Sequence, residues 1–220
     1  YSLASTGRDI KVDLGRTEGY RNVCNKIWNA ARYVLMNSEE QVLVDGPTIS
    51  NEHFSIADKW ISSSFEQTAR SIEESMSNYR FDLASQALQE FIWNEYCDWY
   101  VELSKLVLWD EENNPQQAQA TRWMLLNIME KSLRLLHPFM PFITEEIWQR
   151  IAPLLNIEGE SIMLQPYPQP DAGNLDLNAE QSIEWIKGII IAIRNIRGEM
   201  DISPAKAIPV YLNKGDESDR

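Results

Sequence analysis

The sequence predicts an all-α protein, a helical bundle closed by a short C-terminal segment that contains a strand. Apolar residues recur at spacings of three and four from about residue 14 onward. Glycine and proline collect at a few points that punctuate this pattern. Only residues 207–212 alternate and carry the β-branching of a strand. At 220 residues, the chain is long enough to bury a full core without staples. With 44% hydrophobic and 24% charged residues it lies far from disordered compositions.

The first helix covers about residues 14–37 and gives way to a polar, turn-rich stretch, 37–55, that holds Asp45-Gly46-Pro47. A second, about 56–78, places Ile61, Phe65, Thr68, Ile72, Met76 and Tyr79 on one buried stripe. The third, 81–109, is apolar almost all round, which predicts the middle of the bundle. The acidic, amide-rich run 110–119 reads as a loop around Pro115, and a fourth helix, 120–136, stops against His137-Pro138. A fifth, 142–155, starts after Pro141, where a missing amide hydrogen costs nothing. Residues 156–177, with Pro166, Pro168, Pro170 and Gly173, form an irregular excursion. Asn178 and Gln181 read as a capping box that opens the sixth helix, to about 199. We therefore expect a linker from an upstream domain at 1–12, the bundle at 13–177, and at 178–220 the last helix with the start of a junction module. A lone strand needs partners, and a chain beginning at Tyr1 without methionine reads as a piece of something longer.

Composition restricts the chemistry. The 33 acids outnumber the 20 bases, and a net charge of −13 argues at face value against a nucleic-acid partner. No apolar run approaches the length of a membrane span, and the charged first 14 residues do not read as a signal peptide. Cys24 and Cys97 lie on apolar helical stretches, so buried free thiols in a reducing, cytoplasmic setting are expected. His53 and His137 have no neighbours at metal-ligand spacing, and His137 at a helix end reads as a group that satisfies terminal carbonyls. Glu73-Glu74 and Glu145-Glu146 read as solvated helix faces. Phosphate loops, nucleophile elbows and Cys-x-x-Cys pairs do not occur. No catalytic residue, metal ligand or cofactor is expected in these residues.

One helix departs from the acidic background. Residues 1–36 carry six bases and three acids, leaving 14 bases and 30 acids for the rest. On a wheel of about 100° per residue, Tyr20, Val23, Cys24, Ile27, Trp28, Ala30, Ala31, Val34 and Leu35 fill one arc. The other holds Arg21, Asn22, Asn25, Lys26, Asn29, Arg32 and Tyr33, with no acid. Amides pair with the edges of unstacked bases, a ring stacks on a base, and Arg or Lys meets phosphate, so this arc suits single-stranded RNA. The plain alternative is a solvated amphipathic face. Against it, asparagine is a mediocre helix former, and Asn22, Asn25 and Asn29 occupy positions that solubility alone would fill with Glu or Lys. The last helix gives a weaker echo in Lys187, Arg194, Asn195 and Arg197.

The run Asn25-Lys26-Ile27-Trp28-Asn29-Ala30-Ala31-Arg32, inside the longer match 18–36, closely resembles the first helix of the anticodon-binding domain in bacterial valyl-tRNA synthetases. Residues 3–10, the run Trp93-Asn94-Glu95-Tyr96-Cys97-Asp98-Trp99-Tyr100, the run Leu136-His137-Pro138-Phe139-Met140-Pro141, continuing to Trp148, and residues 194–200 are similar to further stretches of that family, in family order. The resemblance implies the helical anticodon-binding bundle of a class I aminoacyl-tRNA synthetase. It also implies a parent that uses ATP and magnesium to attach valine to its tRNA, with separate editing of mischarged threonine. Binding of DNA or membranes is not implied, and the parent is expected to be monomeric. The catalytic signatures His-Ile-Gly-His and Lys-Met-Ser-Lys-Ser are absent from the 220 residues, so this part is expected to bind tRNA and to do no chemistry.

Carried over residue by residue, the family's asparagine and aromatic that read anticodon bases match Asn29 and Tyr33, a tyrosine here replacing phenylalanine. Asn25, Lys26 and, on the central helix, Glu95 complete the expected anticodon contacts; for Glu95 a structural pairing inside the bundle is an equal alternative. An arginine that some relatives use just before the helix aligns at Gly15, with Lys11 and Arg16 as substitutes. Arg21, Arg32, Arg194 and Arg197 are the remaining candidates for the tRNA backbone, and Trp93, Asp98 and Trp99 are assigned to the core. The rival reading is an acidic helical module that docks a protein partner.

Overall fold

The structure, a computed structural model, describes residues 14–38 and 48–211, apart from the side chains at positions 14, 16–18, 20 and 172. The expected linker 1–12 with Lys11, the Asp45-Gly46-Pro47 turn and Leu212 lie outside the described residues. The helices are α1 (Leu14–Met36), α2 (Ile56–Ser77), α3 (Phe81–Glu90), α4 (Val101–Trp109), α5 (Pro115–Leu136), α6 (Pro141–Ile151) and α7 (Leu177–Glu199). Between α3 and α4 the chain stays helical but widens to a π-helix, Phe91–Tyr100, in which the Val101 N–H reaches back five residues to the Tyr96 carbonyl. Internal contacts divide the chain into Tyr1–Gln181 and Ser182–Arg220.

Helix starts follow local chemistry. Ser55 opens α2 with a reciprocal capping box: its Oγ accepts from the Asp58 N–H (3.1 Å), and its own N–H donates to Asp58 Oδ2 (2.8 Å). Pro115 and Pro141 each occupy the first turn of α5 and α6. The acidic loop is therefore shorter than expected, since α5 begins at Pro115 and not near Ala120. The expected Asn178 cap is also displaced by two residues: Asp176 Oδ1 accepts from the Ala179 N–H (2.9 Å), and α7 starts at Leu177.

In the first unit α5 is the central element, packing against α1, α2, α3, α4 and α6. This corrects the expectation that 81–109 lies in the middle; along that stretch Leu83, Leu106 and Trp109 are exposed. The charged letters of α5 hid its burial because their charges are paired internally. Buried Arg122 holds Glu111 through both guanidinium branches and donates from Nε to the Asn37 carbonyl just past α1 (2.9 Å). Buried Glu130 accepts from the Trp148 indole (2.8 Å) and from Arg134 (2.8 Å), whose other branch reaches the Pro166 carbonyl. That contact, with Tyr167 donating to the Leu135 carbonyl, ties the proline-rich excursion to α5. Glu145 is likewise more than a solvated face, because it accepts from Ser161 and from the Ile162 N–H. His137 sits in the α5–α6 turn with Nδ1 2.8 Å from Thr144 Oγ1, a side-chain partner and not the terminal carbonyl expected.

In the second unit α7 carries the Lys187–Glu184 ion pair, and Arg197 donates to the carbonyls of Ser203 and Lys206, closing the turn after the helix. Residues 207–211 form no strand, a correction to the expected C-terminal strand; no partner strand exists among the described residues to pair with them. Among the described residues no helix is long and apolar enough to cross a membrane, and no group of His, Cys, Asp and Glu could hold a metal ion.

Candidate nucleic-acid interface

Helix α1 buries Ile27, Ala30, Ala31, Val34 and Leu35. The opposite side is one continuous exposed stripe: Arg21, Asn22, Asn25, Trp28, Asn29, Arg32 and Met36. These positions follow helical spacing and hold two cations, three amides and an indole, with no acid. The stripe is rotated relative to the polar arc read from the sequence. Trp28, placed there on the buried side, is 42% exposed, while Lys26 and Tyr33 turn toward the neighbouring helix.

Two neighbouring segments, the π-helical stretch and α4, hold Lys26 and Tyr33 inward. Tyr96 and Tyr100 lie four residues apart and bond inward, to the Leu125 carbonyl (2.7 Å) and to Asp58 Oδ1 (2.6 Å). Trp93 and Asp98 meet α1 instead: the Lys26 ammonium sits 3.8 Å from the Trp93 ring centroid and 2.7 Å from Asp98 Oδ1. Asp98 is thus exposed, and Trp93 and Trp99 are half-buried, where the core was expected. Lys26 spends its charge inside the protein. Tyr33, half-buried, has the Lys105 ammonium 5.6 Å from its ring centroid, and Lys105 also bonds Glu102 (2.6 Å). One face of the phenol ring is thereby electrostatically occupied.

Asn25 and Asn29 are exposed one turn apart, as the sequence led us to expect, and Arg21 and Arg32 border them. Glu95 is half-buried on the π-helix and engaged in an interaction of its own. The Arg16 side chain is outside the described residues. Arg194 is exposed and Arg197 is committed to the turn after α7, both in the second unit. Cys24 and Cys97 are free and half-buried, and burial pushes the Cys97 thiol up to about 12.

Sequence reasoning missed a groove beside the stripe. Trp28, Arg32, Leu35 and Met36 of α1 face Ile147 and Arg150 of α6 around a cavity of about 240 Å³. Its floor is apolar and its rim carries two guanidinium groups, Arg150 pairing with Glu146 at 2.8 Å. The only sequence signal was indirect: Trp28 lies at the margin of the apolar arc, next to Arg32.

A bundle with these features has relatives. The family model described as the anticodon-binding domain of tRNA ligase matches residues 58–212, most of the chain, and the chain belongs to that family. A particular relative is the valine–tRNA ligase of Coxiella burnetii (strain RSA 493 / Nine Mile phase I), 54% identical over 219 residues. That match covers 100% of this chain and 24% of the relative, so the chain spans about a quarter of the curated protein it matches.

Proposed function

We propose that this chain is the anticodon-recognising part of a valine–tRNA ligase, with residues 13–177 as the binding bundle. The acid-free stripe of α1 carries the reading: in a chain of net charge −13 it is a continuous exposed helix face holding Arg21, Asn25, Asn29 and Arg32 and no carboxylate. Asn29 and Asn25 supply base-edge hydrogen bonds, Tyr33 the stacking plane, and Arg21 and Arg32 the phosphate contacts. Lys26 acts through Trp93 and Asp98, fixing α1 against the π-helix, before it acts on RNA. ATP and magnesium chemistry belongs to a part of the ligase carrying the catalytic signatures, which these 220 residues do not contain. Recognition here orients a rigid tRNA whose far end reacts elsewhere, where displacement of about 1 Å costs on the order of 100-fold in rate.

Binding of valine tRNA against a transcript altered only in the anticodon tests this reading. Preference for the valine anticodon is expected; equal binding of both would leave the protein-docking module as the better account. Affinity is expected to fall with salt, with a log–log slope of about −0.7 per phosphate contacted on a single strand. A salt-insensitive complex would count against the arginine contacts.

The groove adds a second expectation. An exposed indole between two arginines is a stacking platform, so Trp28→Ala should weaken RNA binding by about 1–3 kcal/mol while Trp28→Phe retains most of it. Filter binding of both variants, with thermal melts as the folding control, measures this.

A further inference from the structure

A second donor-rich concavity is lined by residues of α2 and α5 that take no part in the α1 stripe. It is a cavity of about 580 Å³ between α2, α5, the short turn Asn51–His53 and the loop leading into α7. That size falls within the roughly 300–1,000 Å³ typical of small-ligand sites. Lys59 from α2 and Lys131 from α5 line it, and neither has an ion-pair partner among the described residues. The Lys131 ammonium instead lies 5.7 Å from the Phe65 ring centroid. Asn51 and Asn127 also line it, and their side-chain amides make no hydrogen bond among the described residues. Trp123 and Phe54 form the aromatic wall, with ring centroids 5.9 Å apart and planes at 55°. The one carboxylate among the lining residues, Asp176, already accepts the Ala179 N–H at the start of α7.

In a chain with 33 acids, two ammonium groups without an ion-pair partner among the described residues line one concavity beside two amides and a tilted ring pair. Two cations answer a phosphate, the ring pair offers a face to a base, and the amides supply donors and acceptors for a base edge or ribose hydroxyls. A purely anionic ligand would leave the aromatic wall unused, and an apolar ligand would strand the lysines. We propose that this pocket binds a nucleotide unit, phosphate against Lys59 and Lys131 and base against Trp123 and Phe54. The same chemistry is offered by a free nucleotide and by a nucleotide of an RNA strand.

Calorimetric titration of the 220-residue chain with adenosine 5′-monophosphate is the test, with adenosine and inorganic phosphate as partial ligands. Saturable binding of the monophosphate is expected, with adenosine weaker by about tenfold or more because it lacks the charge-assisted contacts. The Lys59→Gln/Lys131→Gln pair should reduce monophosphate binding by a similar factor with an unchanged thermal melt, and Asn127→Ala by less. Adenosine binding as tightly as the monophosphate, no saturable binding, or full binding by the double lysine variant would each overturn the proposal. An adenylate hexamer that competes more strongly than the monophosphate identifies an RNA strand as the source; monophosphate binding without hexamer competition identifies a free nucleotide. The Asn29→Ala/Tyr33→Ala variant should bind the monophosphate like the parent chain, which separates this site from the α1 reading. Loss of binding in that variant would show that the pocket is not a site of its own.

Discussion

Replacing Asn29 and Tyr33 by alanine is expected to weaken recognition of valine tRNA by about 1–3 kcal/mol for each, the loss of a base-edge contact and of a stacked base. In dissociation constants each change corresponds to roughly 5- to 150-fold. Asn29 is exposed at the centre of the α1 stripe, so its truncation removes no packing, and its effect is read directly in binding. Tyr33 is half-buried with Lys105 over its ring, so part of the side chain holds the α1–α4 contact and only its exposed part is offered to a base. Tyr33→Phe keeps the ring and should bind nearly like the parent chain, whereas Tyr33→Ala should not. Filter binding with a matched thermal melt distinguishes lost stacking from lost structure. The two positions are close enough to couple, so the double variant need not equal the sum. A double variant that binds valine tRNA unchanged would remove α1 from the recognition surface.

How much of this site the sequence disclosed depended on which physical signal each residue carried. The stripe itself was legible because helical period and residue type coincide at Arg21, Asn25, Asn29 and Arg32. Its rotation was not, because it depends on partners far along the chain, Lys105 of α4 for Tyr33 and the π-helix at Phe91–Tyr100 for Lys26, and no short-range pattern marks a helix whose carbonyls are reached from five residues away. That single change of register sends Trp93 and Asp98 to Lys26 while Tyr96 and Tyr100 bond inward. The same limit explains α5. Arg122 and Glu130 read as surface letters, yet each is buried with partners 11 and 18 residues away or beyond in the chain. Helix ends set by proline at the first turn and by Ser55 follow from local chemistry, which is why the ends of α2 and α6 fell close to expectation and the start of α5 became intelligible once Pro115 is read as its opening. The C-terminal strand failed for a different reason: alternation shows what a segment could pair with, not that a partner is present.

Asp58→Ala is expected to destabilise the bundle by about 3–5 kcal/mol, the range reached when one substitution breaks a buried hydrogen-bond network. Asp58 is fully buried and joins three elements: Oδ1 accepts from Tyr100 at the end of the π-helix, and Oδ2 accepts from Thr121 of α5 (2.8 Å) and from the Ser55 N–H and hydroxyl at the start of α2. Alanine removes the capping box, worth about 1 kcal/mol. It also strands the buried hydroxyls of Tyr100 and Thr121, each costing about 1–3 kcal/mol when unpaired. Urea denaturation should show the loss as a lower midpoint with an unchanged slope. Its pH dependence discriminates this network from simple packing. Burial raises the Asp58 carboxyl above its ordinary value of 3.8, against the hydrogen bonds from Tyr100, Ser55 and Thr121 that pull it down. The folded state therefore holds this proton more tightly than the unfolded chain does, and the stability it contributes is complete below about 3.8 and lost as pH rises through the raised folded value. The gap between the parent chain and Asp58→Ala should accordingly be widest in acid and narrow toward neutrality. A gap that widens as pH rises would mean that the four donors outweigh burial, leaving Asp58 as an ionised anchor for α2, α5 and the π-helix that positions α1.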